Sequence, residues 1–159
     1  MKVGYCIFCH KTITKFKARK ISQLSYFLEK IPEIYPDTKN EKFYREGDYT
    51  PMIESLGEIL IEVSDQDYQG DSRYLLKNDG KFGILIVGWG SCSGCDALQA
   101  ANTIHELAEL MQSIDNDVKW FDSIEEMKSY VKNKDWELEY CWHANETRDF
   151  VEKLINFQQ

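Results

Sequence analysis

Tyr74-Leu75-Leu76-Lys77-Asn78-Asp79-Gly80-Lys81-Phe82-Gly83-Ile84-Leu85-Ile86-Val87 sets two β-prone runs on either side of Asn-Asp-Gly. Asp-Gly accepts the positive φ angles of a tight two-residue turn, so the stretch predicts an antiparallel hairpin. On its N-terminal side, Ile21, Leu24, Leu28 and Ile31 recur at helical spacing and Pro32 with Pro36 stops the pattern, which predicts a helix over 21–31 and a polar loop over 32–49. Thr50-Pro51 opens a second helix, predicted over 51–63 from the stripe Met52, Leu56, Ile59, Leu60 and Val63. On the C-terminal side, Ala97, Ala101, Ile104, Ala108 and Met111 predict one long helix over 96–113 with Asp96 at its start. A short strand over 118–121 follows, and then Ser123 and Glu126 form a capping box before a helix that buries Ile124, Met127 and Val131. A last strand over 136–143 and a helix from near Asn145, with Phe150, Val151, Leu154 and Ile155 inward, complete the chain. Strands alternating with helices give an α/β class, with α+β as the alternative: a mixed sheet that contains the hairpin, with flanking helices.

At 159 residues, 43% hydrophobic and 13% aromatic, the chain has apolar surface for one packed core and too much for disorder. The longest run of Ile, Leu and Val alone is 84–87, far short of the roughly 20 apolar residues that cross a bilayer, so no membrane partner is expected. Behind Lys2 a short apolar stretch is interrupted by Gly4, His10 and Lys11, with no small-residue cleavage site, and a cytoplasmic protein is expected. The net charge of −8 is unevenly spread. Lys2, Lys11, Lys15, Lys17, Arg19 and Lys20 make residues 1–20 +6 with no acid, leaving 13 cations against 27 acids, or −14, over 21–159. Nucleic acid is therefore one expected partner, through residues 11–20, and a basic protein surface fits the acidic body; an arm lying on its own body is the plain alternative. The organisation expected is a basic Cys-x-x-Cys segment over 1–20 and a single α/β domain over 21–159.

Four of the five cysteines form two Cys-x-x-Cys pairs, Cys6 with Cys9 and Cys92 with Cys95; the fifth is Cys141. In a reducing compartment these ask for metal ligation, thiol chemistry or plain burial. Gly88-Trp89-Gly90-Ser91-Cys92-Ser93-Gly94-Cys95-Asp96 joins a strand to a helix, where helix amides would favour a thiolate. Against that, no proline stands between the cysteines, no proline follows Pro51, and Asp96 would oppose a thiolate. The glycines also allow the loop to cradle an anion with its N–H groups, or to be a tight turn with small buried thiols. Tyr5-Cys6-Ile7-Phe8-Cys9-His10-Lys11 has the spacing of half a zinc knuckle. Its completion needs Cys92 with Cys95, Cys141 with His143, or His10 with one distant residue, and zinc is the cofactor this spacing fits. The alternative is a strand with Val3, Tyr5, Ile7 and Cys9 on one face.

Tyr68-Gln69-Gly70-Asp71 offers either a carboxylate for a ligand amine or cation, or a turn built for its geometry. Trp142-His143 precedes Glu146 and Asp149, which would orient an imidazole, with core packing as the default for Trp142. His105 is a surface or packing residue of the long helix. No P-loop, Rossmann glycine motif, Gly-x-Ser-x-Gly elbow or His-Glu-x-x-His pattern occurs in the sequence.

Tyr68-Gln69-Gly70-Asp71 and residues 88–98 resemble a family of small, largely uncharacterised bacterial and phage proteins, and Trp120-Phe121-Asp122-Ser123, Asp135-Trp136-Glu137, Trp142-His143 and Glu146-Thr147 fit the same pattern. The resemblance spans residues 65–157 and implies one coherent domain with a functional Gly-Ser-Cys loop, without naming a substrate.

The leading expectation is a non-catalytic binding protein of accessory or phage anti-defence type. Its ligand, a protein or a small molecule, would meet Tyr68, Asp71, Trp89, Ser91, Ser93 and His143, and Cys6, Cys9, Cys92 and Cys95 are the expected metal ligands. One alternative is a thiol-disulfide oxidoreductase with Cys92 as nucleophile and Cys95 as resolving thiol. The other is nucleic-acid contact through Lys11, Lys15, Lys17, Arg19 and Lys20.

Overall fold

The computed structural model describes residues 4–5, 12–13, 15–39, 48–136 and 143–158. Along it run β1 (Gly4–Tyr5), β2 (Thr12–Ile13), α1 (Lys15–Ile34), a 3-10 turn (Pro36–Lys39), α2 (Thr50–Glu54), β3 (Glu58–Ser64), β4 (Gly70–Asn78) and β5 (Lys81–Trp89). They are followed by α3 (Ala97–Ala100), α4 (Ile104–Asp117), β6 (Lys119–Phe121), α5 (Ile124–Asn133) and α6 (Ala144–Asn156). The hairpin forms where its turn signal stands. β4 and β5 pair from Asn78 opposite Lys81 to Gly70 opposite Trp89, with Asp79 (φ 47°) and Gly80 (φ 77°) at the corner.

The expected α/β class, with helices against a sheet built around the hairpin, is what the chain adopts. Within that class the sheet, ordered β3-β4-β5-β6, is antiparallel in every pair and not mixed. The connection from β5 to β6 is split into α3 and α4, and after this two-part excursion the chain re-enters the sheet running against β5. Antiparallel pairing throughout is the α+β form of the expectation.

Alternation along the strands divides the interior in two. On one face Tyr74, Leu76, Leu85 and Val87 pack with Phe27 and Ile31 of α1, Met52 and Ile53 of α2, and Leu107 and Met111 of α4. On the other, Val63, Leu75, Ile84 and Phe121 pack with Met127 and Val131 of α5 and Phe150 and Leu154 of α6. The result is three layers, helix, sheet and helix. Burial of each such side chain contributes about 1.5–3 kcal/mol before the entropy of ordering it is charged against it.

Three helix boundaries depart from expectation, each for a local reason. The first helix is α1, which begins at Lys15 and passes through Pro32 to Ile34. A proline one turn from a helix end removes one hydrogen bond, and here Tyr35 N–H still donates to Ile31 O at 2.8 Å while both side chains sit in the core. The predicted helix over 51–63 is α2 and then β3, parted at Gly57. Ile59, Ile61 and Val63 favour a strand, and the register shift between Ile59 and Ile61 hides its alternation. The predicted helix over 96–113 is two helices. Thr103 Oγ1 accepts from Glu106 N–H at 3.1 Å and the Glu106 carboxylate accepts from Thr103 N–H at 3.0 Å, a capping box that starts α4 afresh and lets it run to Asp117. By contrast β6, the Ser123 cap of α5 and the start of α6 fall within a residue or so of their predicted places.

The predicted strand over 136–143 lies largely outside the described residues, as do Cys6, Cys9, Lys11, Cys141 and Trp142. Among the described residues no helix is long and apolar enough to cross a membrane.

Candidate functional site at the open end of the hairpin

β3 ends, β4 begins and β5 ends at the side of the sheet remote from Asp79-Gly80, so the 65–69 and 90–96 loops emerge together. Two different constructions stand there, one on each face.

The first is polar and buried. Arg73 lies in β4 between Asp71 and Leu75 on the α6 face, and its side chain is 0% exposed. Its Nη1 donates to Asp65 Oδ1 at 2.7 Å and to Asp71 O at 3.1 Å, and its Nη2 is 3.8 Å from Asp71 Oδ2. The other oxygen, Asp65 Oδ2, accepts from Asp71 N–H at 2.7 Å and lies 3.3 Å from His143 Nδ1 at the start of α6. Glu146 brings its carboxylate to the same place, so that one ligand atom each from Asp65, His143 and Glu146 lie within 4.8 Å of one another. Gly70 is required here by space: a Cβ on it would stand 2.6 Å from Asp65 Oδ2. The Tyr68-Gln69-Gly70-Asp71 turn therefore serves to fold the chain around the Asp65 carboxylate.

The second construction carries thiols. Asp96, 2% exposed, lies beneath the 90–95 loop, where Oδ2 accepts from Gly90 N–H at 2.9 Å and Oδ1 from Gln99 N–H at 2.8 Å. Tyr49, whose phenol is pushed up to about 12 by burial, donates to Asp96 Oδ1 at 3.4 Å and accepts from Leu98 N–H at 3.1 Å. Above this anchor Cys92 and Cys95 are free, exposed thiols with their sulfurs 3.2 Å apart. Cys92 N–H donates to Cys95 Sγ at 3.3 Å. The hydrogen bond with the Cys92 thiol, and then that backbone donor, hold the Cys95 thiol below its ordinary value. A Cβ on Gly90 would meet Cys95 O at 2.5 Å, so the loop closes on itself only with glycine there.

The helix-dipole argument for a reactive Cys92 does not survive this geometry. α3 is a single turn, and its Gln99 amide is already taken by Asp96. The Asp96 carboxylate is taken up by the Gly90 and Gln99 amides and the Tyr49 hydroxyl.

The remaining sequence candidates divide between the two faces. Tyr68 is 84% exposed at the tip of its loop. Asp71 is half-buried against Arg73, and Ser91 and Ser93 are exposed beside the thiols. Trp89 points to the face away from Arg73, into a cavity of about 170 Å³ lined also by Asp48, Tyr49, Glu62, Ser72 and Tyr74. Burial pushes the Tyr74 phenol there up to about 12. His143 is oriented by Asp65, with Glu146 nearby, whereas Asp149 pairs with Lys153 at 2.7 Å. His105 is exposed on α4, 3.4 Å from Glu109. Among the described residues Cys92 and Cys95 have no third Cys, His or carboxylate ligand within 4.8 Å; Cys6 and Cys9, proposed to complete that site, lie outside the described residues.

Asp65 and Arg73 went unread in the sequence, although a signal was present. Arg73 occupies the same alternating face as Leu75, and a cation on a buried face of a strand demands a carboxylate partner.

No protein-family model, curated protein or solved structure matches this chain.

Proposed function

We propose that this chain is a small acidic binding protein whose protein or small-molecule ligand docks on the open end of the hairpin, with the 90–95 loop as the contact. One observation carries the reading: two free thiols and two serines stand exposed on a loop whose base is fixed by buried Asp96. A loop held from beneath loses little freedom when a ligand closes over it, so its contacts translate into affinity. The acidic body favours a partner with a basic surface. Ser93→Trp, placed on the exposed loop, tests it. The native chain used as bait is expected to retain a partner that the variant loses, with both proteins melting alike. Equal retention by both, or no partner together with turnover of a disulfide substrate, overturns the reading.

The lowered Cys95 thiol favours a second reading, thiol-disulfide exchange, and reverses the roles expected of the two cysteines. The Cys95 thiolate attacks one sulfur of a substrate disulfide and expels the other as a thiolate. Cys92, deprotonated, then attacks Cys95 Sγ and releases the second substrate thiol, so two electrons pass to the substrate and a Cys92–Cys95 disulfide remains. Cys95→Ser should abolish disulfide reduction, while Cys92→Ser should trap a mixed disulfide; reduction surviving in Cys95→Ser removes this reading.

A further inference from the structure

We propose that Asp65, His143 and Glu146 form a binding site for a divalent transition-metal ion, separate from the cysteines. Three observations converge on it. The first is geometric. Zinc bonds of about 2.0–2.1 Å to nitrogen and oxygen place neighbouring tetrahedral ligand atoms about 3.3 Å apart. His143 Nδ1 and Asp65 Oδ2 are separated by 3.3 Å, with a Glu146 oxygen in the same group. The second is electrostatic. Asp65 and Asp71 face one guanidinium, that of Arg73, while Glu146 adds a further carboxylate beside Asp65, and a divalent cation balances the excess.

The third is an unmet demand for an oxygen. Arg73 Nε and Nη2 are buried donors with no hydrogen-bond partner among the described residues, and so is the Thr147 hydroxyl, on a residue 3% exposed. Arg73 reaches the cluster through Asp65, and Thr147 stands one turn beyond His143 on α6, which packs on β3 and β4. Buried donors of this kind require an acceptor. A hydrated ion on the three ligands would bring further water in with it, and a water hydrogen-bonded to that shell but not bound to the ion offers the acceptor.

Asp65 is both the innermost ligand and the fixed point, since Arg73 Nη1 and Asp71 N–H already hold its two oxygens. His143, the N-cap of α6, and Glu146, in its first turn, are half-buried, which leaves a path for the ion. One imidazole and two carboxylates suit zinc or manganese better than calcium, and suit a hard ion far better than thiols do.

The probe is manganese(II), which thiols bind poorly, titrated into the full chain and followed by loss of its free-ion paramagnetic resonance signal. One tight equivalent per chain is expected in the native protein and in the Cys92→Ser/Cys95→Ser variant, with affinity weakened roughly tenfold or more in His143→Gln and in Glu146→Gln. Because both side chains are half-buried at the start of α6 and outside the hydrophobic core, thermal melts should show the variants folded. A second measurement needs no variant: of the two described histidines, His143 should lose its ring proton signals to paramagnetic broadening while His105 keeps them. Absence of a tight equivalent, affinity unchanged in both variants, or broadening that spares His143 each overturns the proposal. None of these outcomes bears on the thiol loop, so the two readings fail separately.

Discussion

The 90–95 loop and the Asp65–Arg73 cluster leave the same end of the hairpin and are built the opposite way round. In the loop the reactive atoms are outside and the charge is inside: Cys92 and Cys95 face solvent while Asp96 is buried against the amides of Gly90 and Gln99. In the cluster the cation is inside, and His143 and Glu146 mark the route to solvent. The difference separates what each tolerates. A loop anchored by backbone hydrogen bonds to one carboxylate can change its tip without disturbing the sheet. A buried ion pair cannot lose a partner, because the charge left behind has no water to solvate it.

Arg73→Met tests that contrast with the largest expected effect. It fills the space of the guanidinium and strands Asp65, 3% exposed, without its cation. The expected loss is about 3–5 kcal/mol by urea denaturation, against about 0.5 kcal/mol or less for the Cys92→Ser/Cys95→Ser pair. Adding Asp65→Leu to Arg73→Met should recover most of the loss, since it removes the stranded charge. If Arg73→Met costs no more than the cysteine pair, the two regions are not built differently and the contrast collapses.

How much of this was legible follows the range of each interaction. The hairpin was read because its turn is set by two adjacent residues, Asp79 and Gly80, whose conformational demand is local. The Ser123 cap and the Asp96 cap are likewise set within four residues. The dithiol loop was legible as a motif, although its support was not, because Tyr49 reaches it from 47 residues away. The cluster was the least visible: Asp65 and Arg73 meet across the β3–β4 turn, and His143 arrives from α6, so only the folded sheet brings them together. The misread stretch over 51–63 shows the same limit from the other side. Its apolar residues fit a helical stripe by spacing, but pairing with β4 decides the matter in favour of a strand.

Asp96→Ala sharpens the comparison from the loop's side and should have an intermediate effect. It leaves the amides of Gly90 and Gln99 without their acceptor and deprives the Tyr49 hydroxyl of its own. The expected cost is about 1–2 kcal/mol, the range of a lost helix cap. The local readout matters more than the total. Hydrogen exchange at Gly90 should accelerate strongly while the amide of Asp71, held by Asp65, keeps its protection. Equal acceleration at both would mean that the end of the hairpin behaves as one unit.

The smallest effect should appear only in reactivity. Cys95 is held below its ordinary value of 9.0 first by the Cys92 thiol and then by the Cys92 backbone N–H. Only its thiolate is alkylated at a useful rate, so the pH at which iodoacetamide modification of Cys95 reaches half its plateau reports that balance directly. Cys92→Ala deletes the side-chain donor and keeps the backbone one. The midpoint should therefore move up towards 9.0 without reaching it, while the melting temperature stays where it was. Cys92→Ser, which restores a donor at the same place, should bring the midpoint back down, and that return separates a hydrogen bond from a mere change of packing. A midpoint indifferent to both substitutions would assign the Cys95 thiolate to the backbone N–H groups together with Ser91, and the loop would then owe its chemistry largely to the same kind of N–H contact that anchors it to Asp96.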